Sequence, residues 1–290
     1  MRLSLVVVVL TSGCADLAER APTHPVTPLV RWHSHNDYLQ KRPLLDALEL
    51  GYCSVEADVH LVNGELLVAH DRAECRPELT LETLYLRPLA LLARAKGGKV
   101  MASLERPFVL LVDIKSDGEG VYRVLQLELE PLRDVLTSWD GTRVTERAVT
   151  IVISGATPRS TIAAQRERLV FVDGRLADLE GPAAGAAPTN LVPMVSMSWL
   201  ETVGWLGIGE FPAQARAKLA DLIARAGARG YRLRFWGTPN LVPIWRALHE
   251  AGVAVIGVDR LGEAARWSAG FDEQHRVPAV HGGQAESHSR

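Results

Sequence analysis

Eight short apolar segments alternate with longer stretches of helical period, and this alternation limits the possible folds more than any other feature. The segments are LVRWH (29–33), CSVEADV (53–59), FVLLVDIK (108–115), AVTIVIS (148–154), RLVFVDG (168–174), VPMVSMS (192–198), YRLRFWG (231–237) and VAVIGVD (253–259). The stretches between them include RPLLDALELG, TLETLYLRPLALLARAKGG, GVYRVLQLELEPLRDVL, AQARAKLADLIARAGARG and NLVPIWRALHEAG. Near-continuous apolar strands separated by helices form a parallel sheet covered on both faces. Eight of them predict an α/β chain built as one closed (β/α)8 barrel over residues 29–270. A barrel of this kind runs to about 250 residues as a single domain. The alternative, an open doubly wound sheet, wants a glycine-rich phosphate loop after the first strand; here that place reads HSHNDY.

One stretch breaks the alternation. VHLVNGELLVAHD has two apolar runs around Asn63-Gly64, the strongest short hairpin signal. The chain leaves the second strand at its C-terminal end and turns straight back. A three-residue turn would set His70 opposite Glu56, and a two-residue turn opposite Ala57 on the other face. The three-residue turn is expected, because it aims His70 at the face that carries the acids.

Barrel chemistry sits at the C-terminal ends of the strands, and the titratable residues gather there. The first strand ends in His33, with His35 two further on. The second carries Glu56 and Asp58, two apart and so on one face. The hairpin returns His70, and the third strand ends in Asp113 followed by Lys115. Three carboxylates near one point repel unless a cation lies between them, and hard oxygen donors suit Mg²⁺ or Ca²⁺. Two histidines beside such a cation can act as general acid and general base. Taken singly, each residue is better explained as a polar strand end or a helix cap. It is their common placement between residues 33 and 115 that favours a site.

The chain ends read as separate segments. MRLSLVVVVLTSGC has a basic start, a short apolar core and small residues before Cys14. That is a secretory signal of lipoprotein type over residues 1–13, with Cys14 as the lipidation site and residues 14–28 a proline-rich tether. The apolar run is too short to span about 30 Å of bilayer. The chain is therefore expected to be exported and held at a membrane by a lipid anchor, as a monomer, and residues 271–290 to be a disordered tail. Cys53 opens a strand and Cys75 lies beyond its far end, so two free thiols are expected. A net charge of −2 with no basic tract argues against nucleic acid as a partner.

The order His, Glu-x-Asp, His, Asp-x-Lys resembles the phosphodiesterases related to phosphatidylinositol phospholipase C, in the glycerophosphodiester phosphodiesterase and sphingomyelinase D group. The closest likeness is to the family named after the fungal protein altered inheritance of mitochondria 6, through HSHNDY, GYCSVEADV, LLVAHD, LETLYLRPL and FWGTPN. The resemblance spans about residues 29–262. It implies a phosphoric diester hydrolase with His33 and His70 as the catalytic pair and Glu56, Asp58 and Asp113 as ligands of one divalent cation. It also implies that Lys115, Asn36 and Trp236 line the site for a small phosphodiester or lipid substrate. Glycerophosphodiesterases carry His-Arg-Gly at the first strand and usually Glu at the third acid. Here His33-Ser34 and Asp113 stand instead, so the reaction class is better supported than the substrate.

On this reading His33 is the base and His70 the acid. A different chemistry would use His33 and His35 as a metal-binding pair, as amidohydrolases do, but that needs further histidine ligands from later strands, and none stands between His70 and His249. A non-catalytic tethered binding protein is the third possibility. The stretches 174–194 and 199–212 are expected to cover the mouth, with Trp199, Trp205 and Phe211 packed on the barrel.

Overall fold

The computed structural model describes residues 26–274, with side chains to Phe271. The expected signal segment, Cys14, most of the expected tether and the residues after 274 lie outside the described residues.

The strands are β1 (Trp32–Ser34), β2 (Ser54–Val62), β3 (Glu65–Val68), β4 (Phe108–Ile114), β5 (Ser138–Trp139), β6 (Val144–Thr145), β7 (Val149–Gly155), β8 (Val170–Gly174), β9 (Met194–Ser198), β10 (Arg232–Trp236) and β11 (Val255–Val258). Eight of them close a parallel barrel in the order β1, β2, β4, β7, β8, β9, β10, β11, and β11 returns to β1. All eight expected strands are present. β5 and β6 form a separate antiparallel pair that the sequence did not signal.

The outer layer holds α1 (Leu45–Glu49), α2 (Arg87–Ala95), α3 (Gly118–Leu129), α4 (Arg159–Ala164), α5 (Trp199–Thr202), α6 (Ala213–Gly227), α7 (Val242–Glu250) and α8 (Leu261–Gln274). α8 runs through the first residues of the expected tail. Phe271 packs its ring 5.1 Å from Trp267, one turn back, and 4.9 Å from His249 on α7, which extends the packed domain beyond residue 270.

Strand alternation sorts the side chains into two cores. Val55, Ala57 and Val59 on β2 and Leu110, Val112 and Ile114 on β4 face outward into the layer shared with the helices. A smaller cluster of Val109, Leu111, Val152, Phe171 and Met194 fills the lumen. Above it the inward positions turn polar: Glu56, Asp58, Asp113, Ser154, Asp173 and Ser196.

β2 outruns the barrel. Its first residues pair with β4 and its last four, Val59–Val62, with β3. The pairing of Val62 with Glu65 makes the turn a two-residue one, with Asn63 at φ 51° and Gly64 at φ 87°. Positive φ at both central positions is the type I′ geometry, whose twist matches that of the flanking strands. The expected three-residue turn is therefore wrong, and the register alone would set His70 beside Ala57. The ladder stops at Val59 and Val68, however. The amide of Ala69 donates to the Asp58 carbonyl at 3.2 Å, and the chain then bends, free of the strand pleat.

The stretch 174–194 behaves differently from expectation. Arg175 to Ala177 border the mouth, while Thr189, Asn190 and Pro193 border the opposite end of the barrel. It is a strap that replaces a helix between β8 and β9. Trp199 is buried edge-on against Phe235, and Trp205 stacks on Phe211 with centroids 4.5 Å apart, so these rings do pack on the barrel.

Candidate active site

A cavity of about 670 Å³ opens at the C-terminal ends of the strands. Parallel register builds its floor: Asp58 on β2 is level with Asp113 on β4, which is level with Ser154 on β7. One carboxylate oxygen from each of Glu56, Asp58 and Asp113 lies within 4.8 Å of the others. Gly155 leaves room for them. Its φ is +68°, and a Cβ there would come within 2.1 Å of Asp113 Oδ1.

Two cations face the three acids. Lys115 Nζ lies 2.7 Å from Asp113 Oδ2 and 3.1 Å from Asp58 Oδ2. The buried guanidinium of Arg234, on β10, donates to Glu56 Oε2. Burial acts to raise the Glu56 carboxyl, but Arg234 and the hydrogen bond from His33 hold it far below the usual carboxylate range. Asp58 goes the other way: burial and the charge of Glu56 raise it, against the pull of Lys115.

These residues suit a divalent cation. Asp58 Oδ1 and Asp113 Oδ1 are buried and have no hydrogen-bond partner, while Lys115 takes an Oδ2 of each. Unpartnered buried carboxylate oxygens are costly, and hard oxygen donors of this kind match Mg²⁺ or Ca²⁺. Among the described residues this is the one group with such spacing, and no histidine belongs to it.

The three histidines differ in how far they reach into the cavity. His33 has no exposed surface. Its Nδ1 lies 2.7 Å from Ser54 Oγ and its Nε2 3.3 Å from Glu56 Oε2. Burial and the nearby Arg234 push its pKa down to about 4, so it is a neutral strut under Glu56. His35, by contrast, borders the cavity. Its Nδ1 is 2.7 Å from Asp259 Oδ1, at the end of β11, and its Nε2 is 3.8 Å from Glu56 Oε2. Burial opposes its protonation, but Asp259 and Glu56 together raise its pKa. Asp259 is itself held by Asn240, whose Nδ2 donates at 2.5 Å.

His70 reaches the site as expected, by another route. The bend after β3 brings its Nδ1 to 3.0 Å from Asp58 Oδ2 and leaves its side chain 55% exposed at the mouth. His35 and His70 thus share one design, each anchored through Nδ1 on an aspartate. Asn36 and Trp236 also border the cavity. Asn36 takes a left-handed backbone, φ 46°, which the short Asn side chain tolerates.

Several residues were missed by sequence reasoning. Arg234 carries the clearest signal in hindsight: Arg232 and Arg234 are two apart in a buried strand and so share the lumen face. Tyr38 donates to Asp58 Oδ2 at 2.8 Å. Asp37 clamps the HSHNDY loop by accepting from Ser34 Oγ at 2.6 Å, the Leu44 amide at 2.5 Å and Tyr85 Oη at 3.0 Å. Tyr85 lies in LETLYLRPL, so two of the quoted motifs meet at one carboxylate. His249 lies on α7 against Trp267, far from any role as a later metal ligand. Cys53 and Cys75 are free thiols, as expected.

Residues 22–173 match the family described as the AIM6-like phosphodiesterase domain. This span holds the three acids and all the histidines of the site but stops before Arg234, Trp236 and Asp259. The altered inheritance of mitochondria protein 6 homolog of Arthroderma benhamiae is 31% identical over 263 residues, covering 80% of this chain and 82% of that protein. The altered inheritance of mitochondria protein 6 of Eremothecium gossypii is 31% identical over 277 residues, covering 84% and 71%. Among solved structures, a glycerophosphodiester phosphodiesterase from Parabacteroides distasonis superposes with a TM-score of 0.52 at 14% identity, over 83% of this chain and 98% of that one. A phosphodiesterase from Oleispira antarctica in complex with the product sn-glycerol-3-phosphate does so at 0.50 and 12%, over 88% and 99%. Likeness at that identity establishes the shared barrel.

Proposed function

Because the chain belongs to the AIM6-like phosphodiesterase family, we propose that it hydrolyses a phosphoric diester with one Mg²⁺ or Ca²⁺ held by Glu56, Asp58 and Asp113. The observation that carries this reading is the unpartnered pair Asp58 Oδ1 and Asp113 Oδ1, buried at one level between two aspartate-anchored histidines. The three acids and two cations leave one negative charge in excess, so a divalent ion turns the site net positive, as a phosphodiester monoanion requires. When bound, that ion draws charge from a non-bridging phosphoryl oxygen.

The side chains do the rest. With Nδ1 committed to Asp259, His35 offers Nε2 to the attacking hydroxyl, water or a neighbouring group of the substrate, and takes its proton. The two carboxylates that raise its proton affinity suit it to that task. His70, anchored on Asp58 and open to the mouth, returns a proton to the departing alkoxide. We assign the part expected of His33 to His35, which borders the cavity, whereas His33 has no exposed surface to offer a substrate. Lys115, kept charged by Asp113 and Asp58, holds a phosphoryl oxygen.

The substrate class is a glycerophosphodiester or phospholipid. Support comes from exposed apolar residues at this end of the barrel: Trp236, 44% exposed, ends β10 and borders the cavity, while Leu200 on α5 and Leu206 and Ile208, the latter 78% exposed, follow β9. An apolar rim beside an anion site fits a headgroup with its acyl chains. From the signal-like stretch before Cys14 we infer that the chain works outside the cytoplasm, tethered at Cys14 on a membrane.

The test is hydrolysis of glycerophosphocholine and lysophospholipids with Mg²⁺ or Ca²⁺, before and after chelation, together with metal analysis. Cation-dependent release, lost in Asp113→Asn, is expected. Silence across the panel with metal bound would leave a binding protein, and stoichiometric zinc would point back to the His33–His35 chemistry.

A further inference from the structure

The lumen carries a second arginine that the reaction does not use. Arg232 lies two residues before Arg234 on β10 and so points into the barrel one layer lower. Arg234 meets Glu56. Arg232 has no such pair: Glu146 borders the same cavity, but among the described residues neither Arg232 nor Arg106, in the loop before β4, forms a side-chain hydrogen bond or ion pair with it or with any other group. Both border a cavity of about 450 Å³ at the N-terminal ends of the strands, opposite the active site. Burial, with the like charge of Arg106 beside it, drags the Arg232 pKa down to about 10. A half-buried guanidinium facing a second one is an unfavourable arrangement unless an anion joins them.

The rest of the cavity indicates what the anion is attached to. Val152, Phe171 and Met194, the underside of the lumen cluster, form an apolar wall. Thr150 and Thr137, whose hydroxyls are 2.9 Å apart, add polar atoms to the lining. The space far exceeds a bare oxyanion. We propose that the barrel floor binds a small organic acid, with its carboxylate or phosphate group between Arg106 and Arg232 and its hydrocarbon part on Phe171 and Met194. The lumen cluster separates this site from the catalytic one.

Thermal unfolding and titration calorimetry of the full chain in a zwitterionic buffer test this, with hexanoate, inorganic phosphate and uncharged hexanol as probes. Hexanoate should bind one to one and raise Tm by about 2 °C or more at saturation, and hexanol should not. Arg232→Met should abolish the shift and, by removing an uncompensated charge, melt higher than the parent without ligand. Asp113→Asn, altered only at the other end, should keep the shift. Arg106→Met gives a second reading at the entrance. A phosphate shift lost in Arg232→Met would support the same site with a phosphate head group. Absence of a shift with either anion overturns the proposal, and so does a shift that survives in the Arg106→Met, Arg232→Met double variant.

Discussion

Arg234 and Glu56 come from strands on opposite sides of the barrel seam, 178 positions apart in the chain, and join in the lumen as a buried ion pair. Without its guanidinium Glu56 would be a desolvated carboxylate beside two others. Arg234→Met should cost about 3 kcal/mol in urea unfolding, the scale for stranding one member of a buried pair. Adding Glu56→Gln should recover most of that loss. Strict additivity of the two changes would show that the pair is not coupled.

His33 and His35 should separate cleanly. His35→Ala should lower kcat by a factor of about 10³, as loss of an acid–base group does, with little change in Tm because its side chain is at the surface of the cavity. His33→Asn should lower Tm and leave kcat of the folded fraction within about tenfold. The reverse pattern would restore the role that the sequence suggested for His33.

His70 should show itself through the leaving group. A nitrophenolate departs without help, whereas glycerol or choline needs a proton. His70→Ala should therefore lose far more activity on glycerophosphocholine than on a nitrophenyl diester. Equal losses on both substrates are incompatible with its acting as the acid.

Glu128 on α3 gives a pH test away from the site. Its Oε2 is buried without a partner. Burial first, and then the charges of Glu82 and Glu65, push its carboxyl from 4.5 up to about 7. The folded chain thus holds this proton more tightly than the unfolded one. The contribution is full below pH 4.5 and is lost as pH rises through 7. Glu128→Gln should flatten the profile and stabilise the protein at pH 8 by about 1 kcal/mol, allowing for screening at a partly exposed group. A variant whose pH profile parallels the parent's would remove Glu128 from the account.

The apolar rim should matter only at a lipid surface. Leu206→Ser with Ile208→Ser should reduce hydrolysis of vesicle-borne substrate about tenfold or more, from apolar area withdrawn. Soluble diesters should be cleaved as before, and a matching drop on them would assign these residues to the fold.

The barrel was legible because periodicity reports burial, and all eight strands are buried on both faces. The carboxylate trio was legible for the same reason, since Glu56, Asp58 and Asp113 interrupt apolar runs on one face. The histidines were harder. The sequence sets His33 at the end of β1, but only the closed ring shows that this position lies beneath Glu56, while His35 clears it and meets Asp259 from β11. His70 was expected opposite Glu56 through an incorrect turn and reaches the same acidic site at Asp58 instead, because the pairing of β3 ends before it. The partners Tyr38, Asp259 and Arg234 come from distant segments, and no local pattern announces such meetings.

The ring is unevenly sewn. β4 and β7 run together from Phe108 to Ile114 without a break, whereas β1, three residues long, meets β2 at Ser34 and Val55 alone. The catalytic loop hangs from that thin seam. Mild denaturant should part it first, so that the molecule falls silent while most of its fold still stands. Hydrogen exchange of the β1 amides should then run ahead of exchange in β4. The durability of the activity is set by a three-residue strand and not by the stability of the barrel as a whole.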